Sequence, residues 1–118
     1  MTNRPILIHG GIIQHGTHKG KTFGFPTANV IFDDPEYSGT YAGRAIIGGG
    51  IYRTAVYANP ARKLLEAHIL GLDLNLYGKW MTLELYEKVA GSEEFTDEPT
   101  LKQYIGDSVD KVQEYFAF

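Results

Sequence analysis

The chain contains no cysteine among its 118 residues. It therefore has no disulfide framework, no thiolate metal site and no cysteine nucleophile. Its apolar runs are only a few residues long, far short of the roughly 20 residues that a membrane-spanning helix requires. The N-terminal residues 1–5 lack the apolar core of a signal peptide. We therefore expect a cytoplasmic protein that has no membrane partner.

Positive charge is also scarce, with a formal net charge of −3 and a pI near 5.7. Lysine and arginine are scattered and form no basic stripe, which argues against a nucleic-acid partner. A negatively charged protein can still bind ATP through backbone amides and a metal ion. The length suits one domain. We expect a single domain over residues 1–118 that acts as a monomer.

The first three quarters of the chain contain short β-rich runs separated by polar or glycine-rich segments. These runs are Ile6–Gln14, Thr27–Phe32, Thr40–Ile47, Ile51–Ala58, Leu64–Leu70 and Trp80–Lys88. No helical pattern lies between them, which argues against a parallel βαβ sheet. The glycines at 48–50 predict a hairpin turn, because glycine accepts positive φ. The fold class predicted is mainly β, an antiparallel Greek-key-like barrel of about six strands.

The C-terminal segment changes to a helical period. Apolar residues recur there at spacings of three and four: Leu101, Tyr104, Ile105, Val109, Val112, Tyr115 and Phe116. This stripe predicts an amphipathic helix. Pro99 suits the first helical turn, and Thr96 or Asp97 can cap it. We expect the helix to lay its apolar stripe on the barrel and to close one end.

A glycine-rich stretch precedes the second predicted strand. Gly16 and Gly20 are separated by three residues, whereas a P-loop needs four and must open a helix. The P-loop interpretation therefore fails. Gly16, Gly20 and Gly24 could still let successive amides point at an anion, with Lys21 adding charge. On glycine spacing alone, a flexible surface loop is favoured over this phosphate cradle.

Thr27 and Asn29 follow Pro26 and project from the same side of the predicted strand, because side chains alternate with period two. A hydroxyl and a carboxamide oxygen side by side suit Mg²⁺, which also takes phosphate oxygens and water. The alternative is that both side chains only tie down the loop by hydrogen bonds.

Taken together, this stretch forms a long pattern with fixed spacing: Gly11-x-Ile13-x-x-Gly16-x-x-x-Gly20-Lys21-x-Phe23-Gly24-Phe25-Pro26-Thr27-Ala28-Asn29. The pattern resembles the signature of the riboflavin kinase (flavokinase) family. The resemblance implies that Thr27 and Asn29 lie at Mg²⁺ and the ATP phosphates. It also implies an ATP-binding loop that includes Gly16, Gly20, Lys21 and Gly24.

The strand predicted at 64–70 places Glu66 and His68 on one face. Taken alone, a glutamate on a strand is more often solvated than catalytic. However, a Leu-Glu-x-His-Ile run followed by Leu-Tyr-Gly, here Leu76-Tyr77-Gly78, resembles the same family. The resemblance implies that Glu66 is the catalytic base that receives the proton of the ribityl 5′-hydroxyl. His68 is expected to play a supporting role.

A flavin ring needs apolar walls, which Phe95, Tyr77 or Trp80 could provide, and the resemblance matches Phe95 to an aromatic near the flavin. Each of the three could equally belong to the core, which is the safer prediction for Trp80. The match is weaker on this side, since residues 57–63 and 89–92 depart from the family pattern. The function predicted is ATP-dependent phosphorylation of riboflavin to FMN, and FAD synthesis is not expected. The alternatives are a non-catalytic flavin- or nucleotide-binding module and a kinase of another small alcohol.

Overall fold

The computed structural model describes residues 4–14, 27–71, 76–92 and 97–117, and all structural statements refer to these ranges. The glycine-loop residues Gly16, Gly20, Lys21 and Gly24 lie outside them, as does Phe95. The elements are β1 (Leu7–Ile12), β2 (Thr27–Ile31), β3 (Gly39–Ile47), β4 (Gly50–Asn59), β5 (Leu64–Ile69), β6 (Trp80–Ala90) and α1 (Glu98–Tyr115). The predicted strands and the helix are thus confirmed, with small differences at their ends.

The strands form one six-stranded antiparallel sheet in the order β1-β6-β3-β4-β5-β2. Two Greek keys overlap in it, because β3, β4 and β5 are sequential neighbours while β2 lies beside β5 and β6 lies beside β3. The sheet curls into a half-barrel. An isolated bridge joins its two edges, where the amide of Gln14 donates to the carbonyl of Asn29 at 2.7 Å. The predicted Greek-key-like architecture is confirmed.

The inner face of the curled sheet holds the main apolar core. On β6, Met81, Leu83 and Leu85 are fully buried, while Thr82 and Glu84 face the other way. This alternation is the one that the sequence predicted. Residues on the neighbouring strands complete the core, among them Val30, Tyr41, Val56, Leu65, Ala67 and Ile69.

The helix packs on the outer face of the sheet instead of closing an end of the barrel, which corrects that expectation. The contact between helix and sheet forms the second apolar cluster of the protein, which consists of Ala42, Ala55, Ile105, Val109 and Val112. The small side chains of the two alanines let the helix approach the β3–β4 surface closely. Asp97 caps it, as one of the two predicted caps, by accepting a hydrogen bond from the amide of Thr100 at 2.8 Å. Within the described ranges, no helix is both long and apolar enough to cross a membrane.

Trp80 is 58% exposed, so the prediction of a core position was wrong. The physical reason is its register on β6, which puts it on the same side as Thr82 and opposite the buried Met81. Its indole N–H donates to the Thr82 hydroxyl at 3.1 Å. The ring lies over Gly10 of β1, where an added Cβ would come within 2.7 Å of it. Trp80 therefore covers a neighbouring strand from the outside.

Gly39, which starts β3, occupies a position that only glycine fits. Its φ is +86°, and a Cβ there would lie 2.5 Å from the carbonyl oxygen of Ala90. We expect Gly39→Ala to lower the free energy of unfolding by about 2–4 kcal/mol, because backbone strain and a steric clash add. Urea denaturation measures the loss. Gly91→Ala is the control, since a Cβ at Gly91 meets nothing within 4 Å; equal losses in the two variants would contradict the prediction.

Candidate active site

Strands β2 and β5 bring the predicted site residues together. In their antiparallel register, Asn29 lies opposite Glu66 and Thr27 lies opposite His68. Side chains directly opposite each other on neighbouring strands share a face, with Cβ atoms about 5 Å apart. All four point away from the barrel core. We call these four side chains the β2–β5 row.

Asn29 has an unusual environment within this row. It is fully buried, at 0% exposure, yet neither its amide nitrogen nor its amide oxygen finds a hydrogen-bond partner among the described residues. Leaving such a group unsatisfied costs about 1–3 kcal/mol, and folded proteins rarely do so without a functional reason. The unpartnered amide therefore fits a site that a polar ligand completes.

The hydroxyl of Thr27 and the carboxamide oxygen of Asn29 are hard oxygen ligands. A divalent cation that also binds phosphate oxygens takes ligands of this kind. Their placement on one face of β2, beside the carboxylate of Glu66, fits such a cation. In the described part of the chain, no three histidine, cysteine, aspartate or glutamate side chains gather into a metal-binding group.

Glu66 is held by two polar neighbours. Its side chain is 13% exposed, and its Oε2 accepts a hydrogen bond from Nδ2 of Asn59 at 3.2 Å. Its Oε1 lies 3.8 Å from the guanidinium of Arg62. The carboxylate is thus neither free in bulk water nor sequestered, which suits a group that must receive a proton from a bound substrate.

Thr27 contacts His68 across the strand pair, with 3.4 Å between Oγ1 and Nδ1. Burial desolvates the imidazole and lowers the pKa of His68 to about 4. The ring is therefore neutral at pH 7, and it serves the threonine as a hydrogen-bond partner without adding positive charge to the row. The supporting role predicted for His68 stays a prediction.

The lowered pKa of His68 predicts acid sensitivity. Between pH 6.5 and about 4 the unfolded chain binds a proton at this histidine and the folded chain does not. Stability present above pH 6.5 is therefore lost as the pH falls, by up to about 3 kcal/mol at pH 4. Urea denaturation at several pH values, compared with His68→Asn, measures this. The difference in the free energy of unfolding between the parent and His68→Asn should change between pH 6.5 and about 4. Stability curves of the two proteins that run parallel over this range would contradict the lowered pKa of His68.

Tyr57 extends the row onto β4, where it lies opposite Glu66. Its hydroxyl is 3.2 Å from the Ser92 hydroxyl, and its ring meets that of Tyr104 edge to face at 6.3 Å. The hydroxyl of Tyr104 donates to the carbonyl of Gly91 at 2.7 Å. Sequence reasoning did not single out Tyr57 or Tyr104 as candidates for the site. In the sequence, Tyr57 is only one residue of a predicted strand, and Tyr104 is only one member of the apolar stripe of the predicted helix.

Beside these tyrosines, a cleft of about 260 Å³ separates α1 from the end of β6. Its lining includes Ala90, Gly91, Tyr104, Ser108 and Lys111. The Ser108 hydroxyl is buried and finds no hydrogen-bond partner among the described residues. The cleft thus combines an aromatic side chain with polar groups that a ligand can engage.

Tyr77 lies elsewhere. It is half-buried and packs against the barrel core, in the turn that precedes β6. This turn is bonded to the end of β1, since Gly78 N–H donates to the carbonyl of Ile13 at 3.0 Å. Its predicted contact with flavin stays a prediction, as do the predicted role of Phe95 and the ATP contacts of the glycine loop.

A carboxylate, an unpartnered carboxamide and a hydroxyl on one face of neighbouring strands are the kinds of group that a small-molecule phosphotransferase uses as a base and as ligands for metal-bound phosphates. The fold and the site are compatible with that class of protein. The sequence matches the model of the Flavokinase family, described as riboflavin kinase, over residues 2–116. The chain belongs to that family.

Among curated proteins, the bifunctional riboflavin kinase/FMN adenylyltransferase of Buchnera aphidicola subsp. Schizaphis graminum is 30% identical over 128 residues, covering 98% of this chain and 40% of that protein. The chain thus spans about 40% of the length of this relative, and the same share of the corresponding Bacillus subtilis protein.

Two solved structures share the fold. Riboflavin kinase from Trypanosoma brucei matches with a TM-score of 0.66 and 19% identity, over 93% of this chain and 79% of that one. A structure described as a macrolide-efflux protein from Streptococcus pneumoniae matches with a TM-score of 0.75 and 21% identity, over 92% and 38% of the two chains. Identities this low support the architecture alone.

Proposed function

We propose that this chain transfers the γ-phosphate of ATP to the ribityl 5′-hydroxyl of riboflavin, giving FMN and ADP. The single observation that carries the proposal is the pairing of Asn29 with Glu66. A buried amide with no partner among the described residues stands directly across from a carboxylate. This pairing supports a phosphate-side role for Asn29 and an acceptor-side role for Glu66, in a chain of the riboflavin kinase family.

Each side chain then has a definite task. Glu66 orients the acceptor hydroxyl and takes its proton as the oxygen attacks the γ-phosphorus and the bond to the ADP oxygen breaks. Thr27 and Asn29 hold the metal-bound phosphate end of ATP, and Gly16, Gly20, Lys21 and Gly24 form the loop over it. Mg²⁺, when bound, neutralises charge on the β- and γ-phosphates.

For the acceptor, we place the flavin ring in the cleft beside Tyr104. The Tyr104 ring offers one aromatic surface to a flat tricyclic ring, and the unpartnered Ser108 hydroxyl offers a hydrogen bond to its polar edge. Of the two flavin contacts predicted from the sequence, Tyr77 lies in the turn before β6 and does not line this cleft, and Phe95 lies outside the described residues. Tyr57 lies between this cleft and Glu66, where the ribityl chain would pass.

We further expect the protein to be cytoplasmic and to act as a monomer.

Incubation with riboflavin, ATP and Mg²⁺, followed by chromatography of the flavins, tests the proposal. We expect FMN to accumulate with one ADP per FMN, and omission of the metal to stop the reaction. Well-folded protein that yields no FMN would overturn the kinase assignment. If that protein still quenched flavin fluorescence, the result would favour a non-catalytic flavin-binding module.

A further inference from the structure

The two polar neighbours of Glu66 come from the end of β4 and from the turn between β4 and β5, residues 60–63. Asn59, the last residue of β4, points its Nδ2 at Oε2 of Glu66 and accepts the backbone N–H of Arg62 on its Oδ1, at 3.3 Å. One amide side chain therefore links the turn to the carboxylate. Any shift of the turn moves the hydrogen-bond donor that Glu66 uses.

Arg62 holds the other carboxylate oxygen. Its guanidinium is 3.8 Å from Oε1 of Glu66, and its side chain is 48% exposed. An exposed ion pair of this length adds at most about 1 kcal/mol to stability. Its geometric effect adds to that of Asn59, because the hydrogen bond from Asn59 on one oxygen and the positive charge of Arg62 facing the other favour the same orientation of the carboxylate.

The turn itself is fixed in place. Lys63 adopts a positive φ of 56°, and its N–H donates to the carbonyl of Pro60 at 3.3 Å. The carbonyl of Lys63 accepts the N–H of Phe32, just beyond β2, at 2.9 Å. The turn is thus anchored to the strand that carries Thr27 and Asn29. Its donors keep a fixed relation to both sides of the site.

From these contacts we propose that Asn59 and Arg62 are positioning residues that hold the Glu66 carboxylate in the orientation in which it meets the acceptor hydroxyl. This inference rests on the proposed function. A general base works only within hydrogen-bond reach of its proton, so a carboxylate free to rotate loses kcat while ATP binding is kept.

Steady-state kinetics of FMN formation test the proposal. We expect Asn59→Ala to lower kcat by about 10- to 100-fold and leave KM for ATP within about twofold. Asn59→Asp keeps the shape of the side chain but replaces the hydrogen-bond donor with an acceptor, so it should lower kcat at least as much. Arg62→Ala should lower kcat by about 3- to 10-fold, and Arg62→Lys should keep most of the parent kcat.

Asp33→Ala is the matched control. It removes the other ion pair of this turn, Lys63 with Asp33 at 3.8 Å, without touching Glu66, and should leave kcat unchanged. In a Glu66→Gln background, Asn59→Ala should cost less than about twofold, since the group it positions is gone.

The outcomes separate the two claims. A parent protein that makes no FMN overturns the proposed function and this inference with it. An active parent whose Asn59→Ala and Asn59→Asp variants keep full kcat overturns the inference alone. Equal losses from Asn59→Ala in the parent and Glu66→Gln backgrounds would also overturn it, since they would show a general structural effect. Circular dichroism of each variant confirms that it is folded.

Discussion

Glu66→Gln lowers kcat for FMN formation by about 10²- to 10⁴-fold, the range that a general base contributes. The amide has nearly the shape of the carboxylate, but it cannot take the hydroxyl proton. Since the proposed role of Glu66 concerns the acceptor hydroxyl and not the ATP phosphates, KM for ATP should stay within about twofold. Single-turnover assays with labelled ATP, followed by chromatography of FMN, measure the loss.

The control for this experiment is Glu87→Gln, the same chemical change on β6 at an exposed position. It should leave turnover at the parent level. If Glu66→Gln kept kcat within about threefold of the parent, Glu66 would not be the base. If both variants lost activity equally, the effect would come from charge in general.

Asn29→Leu should raise stability and abolish activity together. The amide is buried with two unpartnered polar atoms among the described residues, so an apolar side chain of similar size removes a desolvation penalty. We expect the free energy of unfolding to rise by about 1–2 kcal/mol, measured by urea denaturation. FMN formation should fall by at least about 100-fold, because the phosphate end of ATP loses a ligand.

Thr54→Val is the matched control, since Thr54 is as deeply buried as Asn29 but its hydroxyl donates to the carbonyl of Tyr52 at 3.0 Å. Loss of this satisfied hydrogen bond should leave stability unchanged or lower it by about 1 kcal/mol, with full turnover. A clear destabilisation by Asn29→Leu would show that the amide is already satisfied in the free protein. Full activity of Asn29→Leu would remove Asn29 from the ATP site.

Strands and helix were predictable because their signals are local. The alternation of Met81, Leu83 and Leu85 with polar neighbours follows from the period of a strand. The three- and four-residue spacing of residues 101–116 follows from that of a helix. The same period-two rule placed Glu66 and His68 on one face before any contact was known, and the structure confirms it.

Omissions arose where two distant segments meet. The error at Trp80 was local, because the alternation of β6 already puts it on the side of Thr82, opposite Met81, although its side chain is apolar. Asn59 and Arg62 gave no signal, since neither residue type nor spacing reveals that a turn folds back onto a particular carboxylate. Tyr57 reaches the site only because β4 pairs with β5.

By itself, the sequence determined the mainly-β class, the faces of the strands, the amphipathic helix and the family to which the chain belongs. Each of these depends on residue order over short distances or on a long motif with fixed spacing. Only the tertiary structure decided that β2 pairs with β5, and so that Asn29 stands opposite Glu66. Strand pairing brings together residues far apart in the chain, and burial of a shared core selects it.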